Sequence, residues 1–83
     1  MLEERLLSKL ETLGWKETSK TPTMSIFSFE LGIRYCLIDI MNGRVFAYNQ
    51  QMEPSYLTNK EMSIFTEVSE QYHKTKKEDP YED

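Results

Sequence analysis

The chain has 83 residues, of which 39% are apolar and 29% are charged, and its formal net charge is −4. This composition is typical of one small globular domain and argues against a disordered or membrane-spanning chain. The longest apolar runs are a few residues, whereas a helix that spans a bilayer needs roughly 18–20. Glutamates follow the first residues where a secretory signal carries positive charge, so no signal segment is expected.

The only cysteine is Cys36, which cannot form an internal disulfide, so the sequence predicts a protein of the reducing cytoplasm. The net charge comes from the C-terminal end. Four of the 14 acidic residues lie at 78–83, which leaves ten acids against the 10 basic residues in the rest of the chain. A neutral body lacks the positive field that attracts a phosphate backbone, and this counts against nucleic-acid binding.

Residues 2–13 are predicted to form a helix. Leucines recur at positions 2, 6, 10 and 13, which places them on one helical stripe. Gly14 follows where a left-handed residue ends a helix. Residues 15–20 are expected to form a short edge strand, with Trp15 covering the end of the core.

Residues 24–31 alternate as a strand does. One face of this predicted strand carries Ser25, Phe27, Phe29 and Leu31, and the other carries Met24, Ile26, Ser28 and Glu30. Gly32 is expected to turn the chain into the next strand.

The central feature is a predicted hairpin at residues 33–48, with the strong turn signal Asn42-Gly43. A two-residue turn places Asp39 opposite Phe46, and a three-residue loop with a bulge at Gly43 shifts the pairing by one residue. We favour the bulge, because it keeps the Asp39 carboxylate off the core. The favoured inner face then consists of Cys36, Ile38, Ile40, Phe46 and Tyr48.

The opposite face of the hairpin is also apolar, although an antiparallel sheet with one face in water alternates more cleanly. An uncovered apolar face marks an interface. The candidate interface residues are Ile33, Arg34, Tyr35, Leu37 and Val45, with Ala47 beside them. The alternative is a three-layer monomer in which one helix covers each face.

A second helix is predicted at residues 58–74. Thr58 and Glu61 have the spacing of a capping box, and Leu57 and Met62 that of a hydrophobic staple. The helix face toward the core is expected to include Met62, Phe65, Val68 or Ser69, and Tyr72. Residues 75–83 are expected to form a disordered acidic tail.

No catalytic group can be located. His73 is the only histidine, and Cys36 lies in a predicted strand with no histidine beside it. Three glycines in the whole chain are too few for a phosphate-binding loop. The sequence therefore predicts a protein that is not an enzyme, with no catalytic residue, no metal and no cofactor.

The predicted fold is α+β: a helix, an antiparallel meander of three or four strands, a helix and the tail, with residues 1–74 as one domain. The predicted function is binding of a protein, either a second copy or a larger partner that the chain modulates or inhibits, with no membrane association. The alternative is single-stranded nucleic-acid binding through aromatic and arginine side chains of the sheet. The acidic tail could imitate a phosphate backbone, as in small accessory or inhibitory proteins of mobile elements, which is an analogy of size and fold alone.

Overall fold

The computed structural model describes residues 3–77, which form two helices and a four-stranded antiparallel sheet. The elements in chain order are α1 (Glu4–Leu13), β1 (Trp15–Lys20), β2 (Met24–Phe29), β3 (Arg34–Asp39), β4 (Arg44–Asn49) and α2 (Asn59–Lys77). Strands adjacent in sequence are adjacent in the sheet, which is a simple meander. The predicted order of helix, meander and helix is confirmed, in its four-stranded form.

The N-terminal helix ends as its sequence predicts. Gly14 has a φ of 100° and its amide bonds back to the carbonyls of the last helical turn. Leu6 and Leu10 are buried, so the leucine stripe faces the core. Leu2, which belongs to the predicted stripe, lies outside the described residues.

The second strand has the predicted alternation, since Ser25 and Phe27 are fully buried. It ends at Phe29, two residues earlier than expected, because a 3₁₀ turn (Glu30–Gly32) follows it. Gly32 has a φ of 91° within this connection, so the predicted tight turn is confirmed. The side chain of Leu31, predicted to share a face with Phe27 and Phe29, lies outside what the structure describes.

The central hairpin has neither of the two expected registers. Asp39 pairs with Arg44 and Leu37 pairs with Phe46, so residues 40–43 form a four-residue loop. The Asp39 carboxylate accepts hydrogen bonds from the backbone amide of Asn42 (3.2 Å) and from its side-chain amide (2.8 Å). These bonds, with Gly43 at a φ of 67°, start the loop one residue earlier than the predicted bulge.

This register exchanges the faces of β4. Cys36, Ile38 and Ile40 are buried as predicted. Phe46 and Tyr48, however, lie on the opposite face, and Val45 packs against the core in their place. The predicted inner face was therefore right for β3 and wrong for β4.

Both described helices pack on the same face of the sheet. The core contains buried side chains of α1, of α2 and of the inward face of the strands: Leu6, Leu10, Trp15, Phe27, Cys36, Ile38, Ile40, Ile64, Phe65, Val68 and Tyr72. The described residues thus form two layers. The alternative of one helix on each face is wrong, because neither helix within residues 3–77 lies over the outward face of the sheet.

The start of α2 is confirmed in detail. The Glu61 amide donates to the Thr58 hydroxyl (3.1 Å), and the Thr58 amide donates to the Glu61 carboxylate (3.0 Å), which completes the capping box. Met62 is exposed, contrary to the prediction, and Ile64 faces the core beside Phe65. The helix continues to Lys77, three residues beyond its predicted end. The remainder of the predicted tail, residues 78–83, lies outside the described residues.

Candidate functional site

The outward face of the sheet, called the outer face from here on, is the candidate site. Its apolar members alternate with the buried residues of the same strands, because successive side chains of a strand point to opposite faces. They are Met24, Ile26, Tyr35, Leu37, Phe46 and Tyr48. Met24 and Phe46 are 37% and 38% exposed, and the other four are half-buried. Neighbouring strands thus present a continuous apolar surface.

The outer face is charged at one end. Asp39 and Arg44 are a directly opposed pair beside the hairpin loop. Hydrogen bonds from Asn42 are the main cause that lowers the pKa of Asp39, and the charge of Arg44 acts in the same direction. The carboxylate is therefore ionised at neutral pH, and the pair adds no net charge to the surface.

The other end of the outer face contains a recess. Ser28 lies between Lys16 on β1 and Tyr35 on β3, and its short side chain leaves space between two long neighbours. Gly32 and Tyr35 line the same recess. A Cβ atom at Gly32 would lie 2.7 Å from the Tyr35 hydroxyl, so glycine is needed for the Tyr35 ring to lie against this turn.

Three of the five predicted interface residues lie at or next to the outer face. Tyr35 and Leu37 belong to it, and Ile33 is 51% exposed in the connection that leads into β3. Sequence analysis missed Phe46 and Tyr48, because their position depends on the hairpin register. Met24 and Ile26 share one face of β2, as predicted, but they were not among the predicted interface residues.

Arg34 and Val45 do not belong to the outer face, which corrects two of the predicted positions. Val45 packs against the core. Arg34 lies on the helix side of the sheet and donates to both carboxylate oxygens of Glu61, at 3.0 and 2.8 Å. Its guanidinium also lies 4.3 Å from the centre of the Phe29 ring. Arg34 is thus a structural residue that joins the sheet to α2.

Glu61 is the centre of this buried polar network. It is only 5% exposed, and the Trp15 indole donates to it at 3.1 Å. Burial alone would raise the pKa of Glu61, but the hydrogen bonds from Arg34, Thr58 and Trp15 lower it to about 2. The carboxylate is therefore ionised, paired and fully hydrogen-bonded, which is how a buried charge is tolerated.

The other two side chains with reactive groups, Cys36 and His73, also lie in positions that stabilise the fold. Burial, with a smaller effect of the Glu61 charge, raises the pKa of the Cys36 thiol to about 12 and leaves it unreactive at neutral pH. His73 bonds through Nδ1 to the Ile40 carbonyl (2.8 Å) and so ties α2 to the hairpin loop. Because a carbonyl only accepts hydrogen bonds, Nδ1 is the protonated nitrogen.

A second, partly buried hydrogen-bond cluster joins α2 to β1 and β2. The Tyr72 hydroxyl donates to the Glu17 carboxylate at 2.7 Å, and the Ser25 hydroxyl donates to the same oxygen. Burial raises the pKa of Tyr72, and the neighbouring Glu17 raises it further. Tyr72 therefore remains neutral and acts as a hydrogen-bond donor.

Comparisons with protein-family models, with curated proteins and with solved structures find no match for this chain. Neither helix within residues 3–77 is long and apolar enough to cross a membrane. In the same part of the chain, no three histidine, cysteine, aspartate or glutamate side chains lie together as metal ligands would.

Proposed function

We propose that this chain is a small, non-enzymatic protein-binding domain of the cytoplasm and that the outer face is its contact surface. The partner is a second copy of the chain or a larger protein that the chain modulates, including by inhibition. The observation that carries the proposal is that both described helices pack on one face of the sheet and leave an apolar face on the other.

The composition of the outer face supports a protein partner. An antiparallel sheet with a solvated face normally alternates apolar and polar residues, whereas here the apolar residues continue across three strands. Contiguous apolar surface of this kind marks protein contacts. Tyr35, Phe46 and Tyr48 supply aromatic area, which is enriched at interfaces and at their energetic centres.

The surroundings of the reactive side chains support a role other than catalysis. Glu61, Cys36 and Tyr72 are all buried. The Glu61 carboxylate and the Tyr72 hydroxyl are also hydrogen-bonded to neighbouring side chains. A catalytic acid or base needs a pKa near the working pH. The pKa of Glu61 lies near 2, and burial raises those of Cys36 and Tyr72 far above neutrality.

Single-stranded nucleic-acid binding is the second candidate, favoured by the aromatic side chains on the outer face. Bases stack on aromatic residues of open sheets in several single-strand binders. Two observations weigh against it. Arg34, one of the basic residues expected to contact phosphate, is bound to Glu61, and residues 3–77 carry ten acids and ten bases. A phosphate-binding surface needs an excess of positive charge.

The test replaces Leu37, at the centre of the outer face, with lysine. The control is Met52→Lys, which adds the same charge at a loop residue that is 62% exposed. Self-association is measured by sedimentation velocity, and partners in the host cell are measured by quantitative proximity labelling. We expect Leu37→Lys to lose an interaction that wild type and Met52→Lys share, with an unchanged circular dichroism spectrum.

The alternative function is tested with the same three proteins and a fluorescent single-stranded oligonucleotide. Binding that falls steeply between low and physiological salt indicates phosphate contacts. If wild type binds the oligonucleotide in this way and Leu37→Lys changes no protein interaction, the nucleic-acid function replaces the one proposed.

A further inference from the structure

The outer face consists of three rows of side chains that run across the strands, because paired residues of an antiparallel sheet lie side by side. The middle row is Ile26, Leu37 and Phe46. The tyrosine row, at the end near the β2–β3 turn, is Lys16, Ser28, Tyr35 and Tyr48. The charged row, at the end near the hairpin loop, is Met24, Asp39 and Arg44.

The tyrosine row and the charged row have complementary shapes. The tyrosine row contains the recess at Ser28, between the longer side chains of Lys16 and Tyr35. The charged row has a long apolar side chain, Met24, on the same strand and at the same distance from the middle row. Met24 is 37% exposed although it is apolar and flexible. A long apolar side chain and a recess at positions symmetric about Ile26 are self-complementary, as the surface of a twofold contact is.

We infer that a second copy of this chain is the occupant of the outer face and that the twofold axis lies along the middle row. This inference rests on the proposed function and specifies its partner. The rotation places the middle row of each copy on that of the other, and the charged row on the tyrosine row. Met24 of each copy then enters the recess at Ser28 of the other. Asp39 of each copy then lies over Tyr35 of the partner subunit.

The charges of the outer face favour this axis over an axis along β3, and the coverage of apolar residues favours it over an axis between β3 and β4. An axis along β3 would place Asp39 against its own copy, which costs free energy. An axis between β3 and β4 would oppose Asp39 and Arg44 favourably but would leave Ile26 and Met24 uncovered. With the axis along the middle row, the two Asp39 residues are separated by about 13 Å along the strand direction, at 3.3 Å per residue, which exceeds the physiological Debye length of about 8 Å.

The size of the face predicts a reversible dimer. Four strands spaced about 4.8 Å apart and six residues long cover roughly 400 Å² per copy. A stable interface buries about 800 Å² on each partner, so this contact belongs with weak and transient ones. The dimer fraction should therefore rise with protein concentration.

The axis is tested by cross-linking through single added cysteines in the full chain. Ile26→Cys places a thiol on the proposed axis, where it faces its own copy across packed sheets about 10 Å apart. Asp39→Cys places a thiol well away from the axis. Wild type is the background control, because Cys36 is fully buried. A short bifunctional maleimide should convert most of Ile26→Cys to covalent dimer and give no covalent dimer of Asp39→Cys or wild type. Cross-linking of Asp39→Cys with none of Ile26→Cys overturns the axis.

The shape match is tested by sedimentation equilibrium. Met24→Ala shortens the side chain that enters the recess and Ser28→Phe fills the recess, and each should weaken dimerisation about fivefold or more, as loss of a well-packed interface contact does. Met52→Ala, at a loop residue, is the matched control and should leave dimerisation unchanged. Thermal unfolding of each variant reports whether the fold is intact.

The outcomes separate this inference from the proposed function. If the full chain remains monomeric at every concentration while Leu37→Lys still loses a partner in cells, the dimer is refuted and the protein-binding function stands. If Leu37→Lys loses neither self-association nor a partner, both fail. If Met24→Ala and Ser28→Phe dimerise as wild type does, the twofold arrangement fails even though a dimer exists.

Discussion

At the scale of single residues, Glu61 connects more of the molecule than any sequence motif indicates. Its carboxylate binds Arg34 on β3, Trp15 on β1 and the backbone of its own helix cap. These contacts join elements that are distant in the sequence. A charge pair of this kind is costly to break, because the remaining member is left without a counter-charge in a poorly solvated position.

We predict that Glu61→Gln lowers the free energy of unfolding by about 2–3 kcal/mol, somewhat less than for a fully buried pair. The loss is smaller than for a fully buried pair because the Arg34 side chain is 24% exposed and can recover some hydration. The matched control is Glu67→Gln on the same helix, which removes an exposed pair with Arg5 and should cost about 1 kcal/mol or less. Urea denaturation measures both. Equal losses for the two variants would show that burial of the Glu61 pair is not what stabilises it.

The same residue predicts a pH dependence of stability. The folded-state pKa of Glu61 is about 2, below its ordinary value of 4.5. A depressed pKa stabilises the folded state above the ordinary value, and that stabilisation is lost as the pH falls from about 5 toward 2. The free energy of unfolding that is lost over this pH range amounts to about 3 kcal/mol, at 1.36 kcal/mol for each unit by which folding lowers the pKa.

Urea denaturation of wild type and Glu61→Gln at pH values from 2.5 to 6, chosen around this window, tests the assignment. Wild type should lose more stability than the variant over this interval, so the two curves should converge at low pH. Parallel curves would assign the acid sensitivity to other carboxylates.

At the scale of elements, local sequence determines where the two helices end and begin. The capping box of α2 lies within four consecutive residues, and the structure contains both of its hydrogen bonds. The glycine that ends α1 is equally local. Both were predictable because the interacting groups are close in sequence.

We predict that Thr58→Ala lowers the free energy of unfolding by about 1 kcal/mol, the usual cost of losing a side-chain cap. It leaves the Glu61 amide without its acceptor and loosens the backbone on which Glu61 is positioned. Thr66→Ala, an exposed position in the same helix, is the control and should change stability by no more than about 0.5 kcal/mol. Guanidinium denaturation compares the two variants. A larger effect at Thr66 than at Thr58 would be incompatible with this role of the cap.

The hairpin register was not predictable in the same way. Asn42-Gly43 correctly located the turn, but the loop length depends on whether Asp39 binds the side chain of Asn42 and on whether Ile40 leaves the strand to enter the core. The Ile40 carbonyl is held by His73 from α2, which is 33 residues away. The turn preferences of residues 39–44 carry no information about a contact this distant in the sequence. The pairing was therefore wrong, and with it the positions of Phe46 and Val45.

Arg34 illustrates the same limit for the site. Its residue type suggests an interface or a phosphate contact, and only the position of Glu61 in the folded chain identifies it as the partner of a buried carboxylate. Tyr35 and Leu37, in contrast, could be placed from the strand period alone. The apolar character of the outer face was thus predictable, whereas its complete membership required the register.

At the scale of the whole molecule, net charge and self-association are coupled. Residues 1–77 are neutral, and the charge of −4 comes from Glu78, Asp79, Glu82 and Asp83. Two copies that associate each bring this charge, so they repel one another at low ionic strength. Salt screens that repulsion, because the Debye length falls from about 30 Å at 0.01 M to about 8 Å at 0.15 M.

We predict that dimerisation of the full chain strengthens about threefold or more between these two ionic strengths. The matched variant, Glu78→Gln with Asp79→Asn, Glu82→Gln and Asp83→Asn, has no net charge and should dimerise with little dependence on salt. Sedimentation equilibrium of both proteins measures the effect. Phosphate binding weakens with added salt, so the expected sign also separates the two candidate functions. A wild-type dimer that weakens with salt would instead mean that attraction between opposite charges, rather than apolar contact, holds the outer faces together.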